Sequence, residues 1–455
     1  MLNSGGNPPT PGADVCVVGG GPAGMMLAVL LLRSGLRVTV LEKHADFLRD
    51  FRGDTIHAST LNLMDELGWG DEFLRLPHGK IRRLSGVFGG AEYTVADCSR
   101  LPGRHKYIAL MPQWDFLDFL AGKAAEYPGF TLLRSTEVDG LLRDGGDAAS
   151  SSPAEPAGGG GRAGTGRVSG TGRVVGVTGQ GPDGPVEVRA RLVVACDGRH
   201  SDVRRLLGLR SREFGAPMDV LWFRLPREST DPEGLAFITG PGVALVLIDR
   251  GDYFQIAYVI PKGGYDRVRA AGLGALVDQV GKLAPSLAGR AAVTTQDGLK
   301  SWDDVHVLTV VVDRLRRWHA DGVLLIGDAA HAMSPMGGVG VNLAIQDAVA
   351  TARIVGGQLK AERDAASNGS RLAGGVFRAL EIQLTRVQGR RLFPTVATQL
   401  LQRALGRGVI ARVLQSDQPL PVPVFIKALQ RFPVLQGVTA RAVAIGFLPE
   451  HVGPE

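Results

Sequence analysis

Gly19-Gly20-Gly21-Pro22-Ala23-Gly24 carries the G-x-G-x-x-G spacing, and an acid, Glu42, stands 18 residues after Gly24. The chemistry this spacing serves is the holding of a dinucleotide. Gly19, Gly21 and Gly24 allow a tight turn and bring bare backbone up to a pyrophosphate, and the helix that follows offers free N–H groups and a partial positive charge. Glu42 is placed to accept hydrogen bonds from an adenosine ribose. In a chain with 63 glycines the spacing alone says little. It gains meaning only if a strand precedes it, a helix follows, and the acid ends the next strand.

A second cluster narrows the ligand. Gly327-Asp328-Ala329-Ala330-His331 is followed by Ser334-Pro335-Met336-Gly337-Gly338-Val339-Gly340-Val341-Asn342. Asp328 at a strand end can hold a ribityl hydroxyl. The glycines of 337–340 let the backbone approach a flat ring. A helix starting near Gly340 aims its positive end at that ring, which suits a flavin because charge develops near N1–C2 on reduction. A nicotinamide dehydrogenase has no use for this cluster.

The elements that must position these residues can be read from the pattern. Ala13–Val18 is a short apolar run and reads as a buried strand, Gly24–Ser34 as a buried helix stopped by Gly35, and Leu36–Leu41 as a second strand. A strand–helix–strand crossover of this length makes a parallel sheet. Residues 81–98 read as antiparallel strands around Gly89-Gly90, and Leu110–Tyr127 as a helix. Glu137–Arg143 and Arg173–Gly179 read as paired strands flanking residues 144–172, a stretch with no aromatic residue and one valine, expected to be a disordered insert. Val186–Cys196 supplies further strand. Met218–Pro261 alternates apolar and polar residues and reads as an antiparallel meander. Val323–Ile326 is a buried strand, Gly340–Ile354 a helix, and the rest mainly helical with proline breaks.

With both clusters and their setting in hand, the chain resembles the flavoprotein aromatic hydroxylases typified by p-hydroxybenzoate hydroxylase. The resemblance rests on GGGPAG with Glu42, on GDAAHAMSPMGGVGVN, and on Asp197-Gly198-Arg199-His200-Ser201-Asp202-Val203-Arg204, which is similar to that family's D-G-x-x-S-x-V-R segment near FAD and the nicotinamide donor. Arg52 in FRGDT and Gln113 in MPQWDFL occupy positions that resemble the family's flavin contacts. The resemblance implies an α/β fold in which an FAD-binding Rossmann-like domain (1–80, 100–215 and 295–365) is interleaved with an antiparallel-sheet substrate domain (81–99 and 216–294). A helical C-terminal region (366–455) follows, with no thioredoxin-like domain expected. It implies FAD as cofactor, NADPH or NADH as a transient electron donor with no dinucleotide motif of its own, and O2 as co-substrate. The implied reaction passes oxygen from a flavin C4a-hydroperoxide to an aromatic or polyketide-like small molecule. Cofactor contacts are expected from Gly19, Gly21, Gly24, Glu42, Arg52, Gln113, Asp328, Pro335, Gly338, Gly340, Val341 and Asn342. Asp197, Gly198 and Arg204 are expected beside FAD and the nicotinamide.

The substrate pocket is less legible. Trp222, Tyr253 and Met336 are the candidate lining residues, with Phe223, Phe254, Tyr258 and Pro335 also considered. Because strand side chains alternate faces, Tyr253 and Phe254 cannot both line it. His57 and His331 invite a base role, but each also reads as a hydrogen-bonded structural histidine, so no catalytic base is assigned. An FAD-dependent reductase of the same fold acting on a lipid-like substrate, and a non-catalytic flavin-binding protein, remain competing readings.

Composition sets the remaining bounds. Hydrophobic residues are 44% and charged residues 21% of 455, enough for an ordinary core. Cys16, Cys98 and Cys196 are too few and too far apart for a disulfide framework or a metal site, which fits a reducing, cytoplasmic compartment. The longest apolar run, Met25–Leu32, is eight residues, far short of the roughly 18–20 a membrane span needs. The N-terminus lacks a signal-peptide pattern. The net charge of +6 is local: residues 386–441 hold nine cations and one acid. No nucleic-acid module accompanies it. Val396, Leu400, Leu401, Leu405, Val409, Val413 and Leu414 recur near helical spacing in that region. They are expected to cover the FAD domain, to make a dimer contact, or to form a peripheral membrane surface, with Gly406 and Gly408 weakening the helix. The oligomeric state is left open.

Overall fold

A computed structural model describes residues 12–48, 55–144, 172–231, 233–290, 298–367, 375–418 and 421–453. The 144–172 insert falls almost wholly outside the described residues, and so does Arg52.

The apolar run Ala13–Val18 is a strand buried along its whole length. It pairs in parallel with Val38–Leu41 on one side and with Gly184–Ala195 on the other. Phe130–Leu133 and Val323–Leu325 extend the same parallel sheet outward. Register aligns the strand ends: Val18 lies opposite both Leu41 and Ala195, and Ala195 opposite Leu325. Pro22–Arg33 crosses over as a helix with ten consecutive buried residues, Ala23 to Leu32. It packs on Leu117 and Leu120 of the Gln113–Ala125 helix, and on Ile345, Ala348 and Val349 of the Val339–Ser367 helix. Proline at the first helical position costs nothing there, because its missing N–H would be unpaired anyway. The long strand Gly184–Ala195 continues into an antiparallel ladder with Val174–Gly181, which pairs in turn with Glu137–Arg143.

A second sheet has seven strands, in the order His306–Leu308, Met218–Pro226, Tyr253–Pro261, Val243–Asp249, Leu235–Gly240, Arg83–Phe88, Ala91–Asp97. It departs from the expected antiparallel meander in three ways. Met218–Pro226 pairs with Tyr253–Pro261 and not with its sequence neighbour. Leu235–Gly240 runs parallel to Arg83–Phe88, so the sheet is mixed. His306–Leu308, expected with the FAD-binding part of the chain, pairs with Met218–Pro226 here. Alternation in single strands gives faces but not partners, and closing the edge requires whichever segment arrives there.

One face of this sheet packs Leu221, Phe223, Phe254 and Tyr258 against the helices Tyr265–Ala271 and Leu273–Leu283. The other face carries Val220, Trp222, Phe237, Val246 and Ala257 toward Met336 and the C-terminal helices.

The C-terminal region keeps part of the expected apolar stripe, with Val413 and Leu414 buried. Gly375–Leu405 is one helix, and a π-helical turn at Gly406–Ile410 carries it into Ala411–Gln415, so the glycines widen the helix without ending it. Leu400 and Leu405 are exposed, while Arg391, Thr395, Thr398, Gln399 and Gln402 are buried. Its inward face is apolar at Leu380, Leu384 and Val387 and mainly polar from Arg391 to Gln402. Large exposed apolar side chains gather further on, at Val424, Phe425, Phe432, Val434, Leu435 and Val438. No helix among the described residues is long and apolar enough to cross a membrane.

Candidate active site

Four aligned parallel strands end at one crevice. Gly19 follows the first, Glu42 the second, Cys196 and Asp197 the third, and Ile326, Gly327 and Asp328 the fourth. In open α/β sheets this carboxyl edge is where ligands bind.

Each glycine of the fingerprint has a separate physical cause. Gly19 has φ 102°, and a Cβ there would stand 2.5 Å from the Cys196 carbonyl oxygen. A Cβ at Gly24 would collide with the Gly19 carbonyl, so this glycine lets the helix sit against the turn. Gly21 caps the helix with no side-chain hydrogen bond, and a Cβ there would meet nothing within 4 Å. Open space in front of uncapped helix N–H groups is the cradle a diphosphate needs.

The Glu42 carboxylate is buried. It accepts from Gly20 N at 2.8 Å and from His44 N at 3.0 Å, which fixes it across the mouth of the turn. Asp197 accepts from Val203 N at 3.1 Å through one oxygen, while its Oδ1 is buried without a partner. Burial pushes the Asp197 carboxyl above its usual range, against the hydrogen bonds from Ser201 and Val203. Gly198 has φ 81°. Arg204 pairs with Asp313 at 3.3 Å and donates to the Arg199 carbonyl.

The second cluster is tied to the first by hydrogen bonds. His57 N and Thr60 Oγ1 both donate to Asn342 Oδ1 at 2.8 Å. Asn342 Nδ2 donates to Thr55 O at 3.0 Å and Gly338 O at 3.3 Å. The Asn342 side chain is thus spent on clamping the 55–60 segment to the glycine turn. Gly338 has φ 62°, and Thr55 Oγ1 donates to its carbonyl at 3.1 Å. Pro335 opens a helical turn over Met336–Gly338, and Gly340 and Val341 follow in the first turn of the Val339–Ser367 helix. Gln113 begins the helix after Ile108–Leu110 and is half-buried. Asp328 is half-buried at its strand end.

Both histidines are buried and hydrogen-bonded. His331 Nε2 meets Asp347 at 2.6 Å in full burial, and Asp347 also accepts from Gly327 N at 3.1 Å and Arg391 Nε at 2.8 Å. Burial alone would raise the Asp347 carboxyl; His331 and Arg391 outweigh it and hold it below its usual value. His57 Nδ1 donates to Val443 O at 2.8 Å, and burial pushes its imidazole down to about 4 against the carbonyls of Val443 and Gly337.

Sequence reasoning missed the residues that hold the cluster from behind. Gln402 Nε2 donates to Ser334 O at 2.8 Å and Met336 O at 2.9 Å, and its Oε1 accepts from Ser334 N at 3.1 Å. Gln399 Nε2 donates to Asp313 O at 2.7 Å. Asp313 Oδ1 accepts from Ala332 N at 3.0 Å. The available signal was the three-residue spacing of two glutamines on one helix face.

Among the candidate pocket residues, Trp222 and Met336 meet in one apolar cluster. Tyr253 lies opposite Pro226 and shares the Trp222 face, where the Arg224 guanidinium sits 5.0 Å from its ring. Phe223, Phe254 and Tyr258 point the other way, so Tyr253 and not Phe254 shares a face with Trp222. Among the described residues no three His, Cys, Asp or Glu side chains group as a metal site.

The open helix N-terminus at Gly21, the fixed Glu42 carboxylate and the orphaned Asp197 oxygen at one strand-end crevice fit FAD. A family model for the FAD binding domain matches residues 12–158 and 169–367. The chain is 34% identical over 434 residues to the 6-methylpretetramide 4-monooxygenase of Streptomyces rimosus, covering 91% of this chain and 96% of that protein. It is 30% identical over 341 residues to the rifampicin monooxygenase of Streptomyces venezuelae, covering 74% of this chain and 62% of that longer protein. PqsL of Pseudomonas aeruginosa, described as a probable FAD-dependent monooxygenase, superposes with a TM-score of 0.66 at 23% identity over 89% of this chain and 98% of that one. The OxyS anhydrotetracycline hydroxylase of Streptomyces rimosus gives 0.65 at 23% identity over 97% and 78%. At such identities the two structures show a shared fold.

Proposed function

We propose, given that this chain belongs to the FAD-dependent aromatic hydroxylase family and is a flavoprotein monooxygenase, that it uses NAD(P)H and O2 to hydroxylate an aromatic, polyketide-like small molecule. The balanced reaction takes NAD(P)H, a proton, O2 and Ar–H to NAD(P)+, water and Ar–OH. The observation that carries the reading is an adjacency. The glycine turn at Met336–Gly338 is hydrogen-bonded to the 55–60 segment beside the crevice, and Met336 packs into the apolar face of the second sheet. A flat ring held along that turn would face Trp222, Phe237 and Val246.

In this reading Gly19, Gly21 and Gly24 seat the diphosphate, Glu42 the ribose and Asp328 the ribityl chain. The backbone of Pro335, Gly338, Gly340 and Val341 lies along the ring. Asn342 serves by locking that backbone, and Gln113 flanks the ring. FAD, when bound, supplies electron storage and oxygen activation. Asp197 and Gly198 border the nicotinamide side, with Arg204 bracing their loop through Asp313. Trp222, Met336 and Tyr253 belong to the substrate side, where apolar walls exclude water.

NADPH oxidation and O2 uptake by the yellow, purified protein test this against a panel of phenols and polycyclic quinones. We expect at least one compound to stimulate both and to gain one oxygen by mass. Oxidation that no compound stimulates would move the reductase and the non-catalytic readings ahead.

A further inference from the structure

The face turned toward the Met336 turn carries two buried donors among its apolar side chains, with Arg224 and Tyr253 toward its far end. Trp222 Nε1 and Gln255 Nε2 are both buried without a hydrogen-bond partner. Gln255 is 2% exposed. Trp222 lies opposite Ala257, and Gln255 opposite Arg224, so the two side chains are diagonal neighbours on one face. Such neighbours stand roughly 7–8 Å apart at their backbones, within reach of one small molecule for side chains this long. Trp222 also touches the cluster containing Val246, Phe237 and Met336.

A buried donor left unpaired costs about 1–3 kcal/mol. Indole N–H has no acceptor capacity, so it cannot be satisfied by another donor. The indole N–H and the amide N–H of Gln255 stand unpaired beside Val220, Phe237, Val246 and Ala257, none of which has a side-chain acceptor to offer them. We propose that Trp222 Nε1 and Gln255 Nε2 form a two-donor subsite for ketone or phenolate oxygens along one edge of a fused aromatic substrate. The inference rests on reading this face as the substrate side. It narrows the substrate from aromatic in general to oxygen-bearing fused rings, and it makes a bare hydrocarbon a poor ligand despite the apolar walls.

The probes are lawsone, a two-ring hydroxyquinone, and naphthalene, its hydrocarbon frame. Kd values come from calorimetry on the oxidised holoenzyme, with the flavin spectrum recorded in parallel. Trp222→Phe keeps a ring and removes the N–H; Gln255→Met keeps the length and removes the amide. Each is expected to weaken lawsone about five- to tenfold and to leave naphthalene within about twofold, with FAD content equal to wild type. Gln255→Glu, which sets a carboxylate where the donor stood, should weaken lawsone further. Equal weakening of both ligands would mean the two side chains only pack, and unchanged lawsone binding would mean the donors face elsewhere; either overturns the inference. Lawsone that binds wild type without perturbing the flavin would instead overturn the reading of this face as the substrate side, and the subsite with it.

Discussion

The Pro22–Arg33 helix and the Gly375–Leu405 helix both serve the strand-end crevice, by opposite means. The first buries ten residues in a row, all apolar or glycine, and offers only its N-terminus to the site. The second turns Arg391, Thr395, Gln399 and Gln402 inward and leaves Leu400 and Leu405 in water. Apolar burial is strong but non-directional, each large side chain contributing about 1.5–3 kcal/mol with little say over register. Hydrogen bonds from two glutamines fix particular carbonyls at Asp313, Ala332, Ser334 and Met336. The first helix therefore holds the sheet together, and the second decides where the 332–338 turn sits.

The largest test of that contrast is Arg391→Ala. Asp347 and Glu450 are fully buried on its two sides, and removing the guanidinium leaves two carboxylates short of their cation. A loss of about 3–5 kcal/mol is expected in urea unfolding; a loss under about 1 kcal/mol would show that Arg353 and Arg390, which also pair with Glu450, carry the network.

Acid should act through a contact of a third kind, His57, which joins the 55–60 segment to the end of the Val434–Ala444 helix. Its folded value of about 4 lies below the ordinary 6.5, so the unfolded chain binds the proton more readily. Stability from this group is complete above about 6.5 and is lost as pH falls toward 4, by roughly 3 kcal/mol. His57→Gln should flatten that part of the profile, read as the difference from wild type in denaturation at neutral and acid pH.

The glycines of the turn separate fold from ligand. Gly24→Ala drives a methyl into the Gly19 carbonyl and should cost about 1–3 kcal/mol in the apo protein. Gly21→Ala meets no protein atom and has an ordinary φ of −74°. It should leave apo stability unchanged while lowering FAD retention, and full FAD content in that variant would remove the diphosphate from this position.

Gln402→Leu is expected to be mildest in stability, about 1–2 kcal/mol for the freed polar groups. Its signature is elsewhere: the flavin spectrum and substrate Kd should change because Ser334 and Met336 lose their anchor. A change in stability alone would make the Gly375–Leu405 helix a scaffold and nothing more.

The sequence by itself determined the N-terminal unit, because a parallel strand buried on both faces must be apolar throughout, and Ala13–Val18 is. It determined the glycine turn for the same kind of local reason: only glycine tolerates φ 102° at Gly19 with a carbonyl 2.5 Å from the missing Cβ. The belonging of GDAAH and GGVGVN to one site was legible from their residue types. The tertiary structure decided the rest. Periodicity grouped Leu400 and Leu405 into an apolar stripe, but which side of a helix is buried depends on what lies opposite, and here the 332–338 turn presents carbonyls that Gln399 and Gln402 meet with their amides. Alternation could not choose between Tyr253 and Phe254 until the Leu273–Leu283 helix covered the Phe254 side. Gln255 gave no signal at all, since an unpaired buried donor exists only after the chain has closed around it.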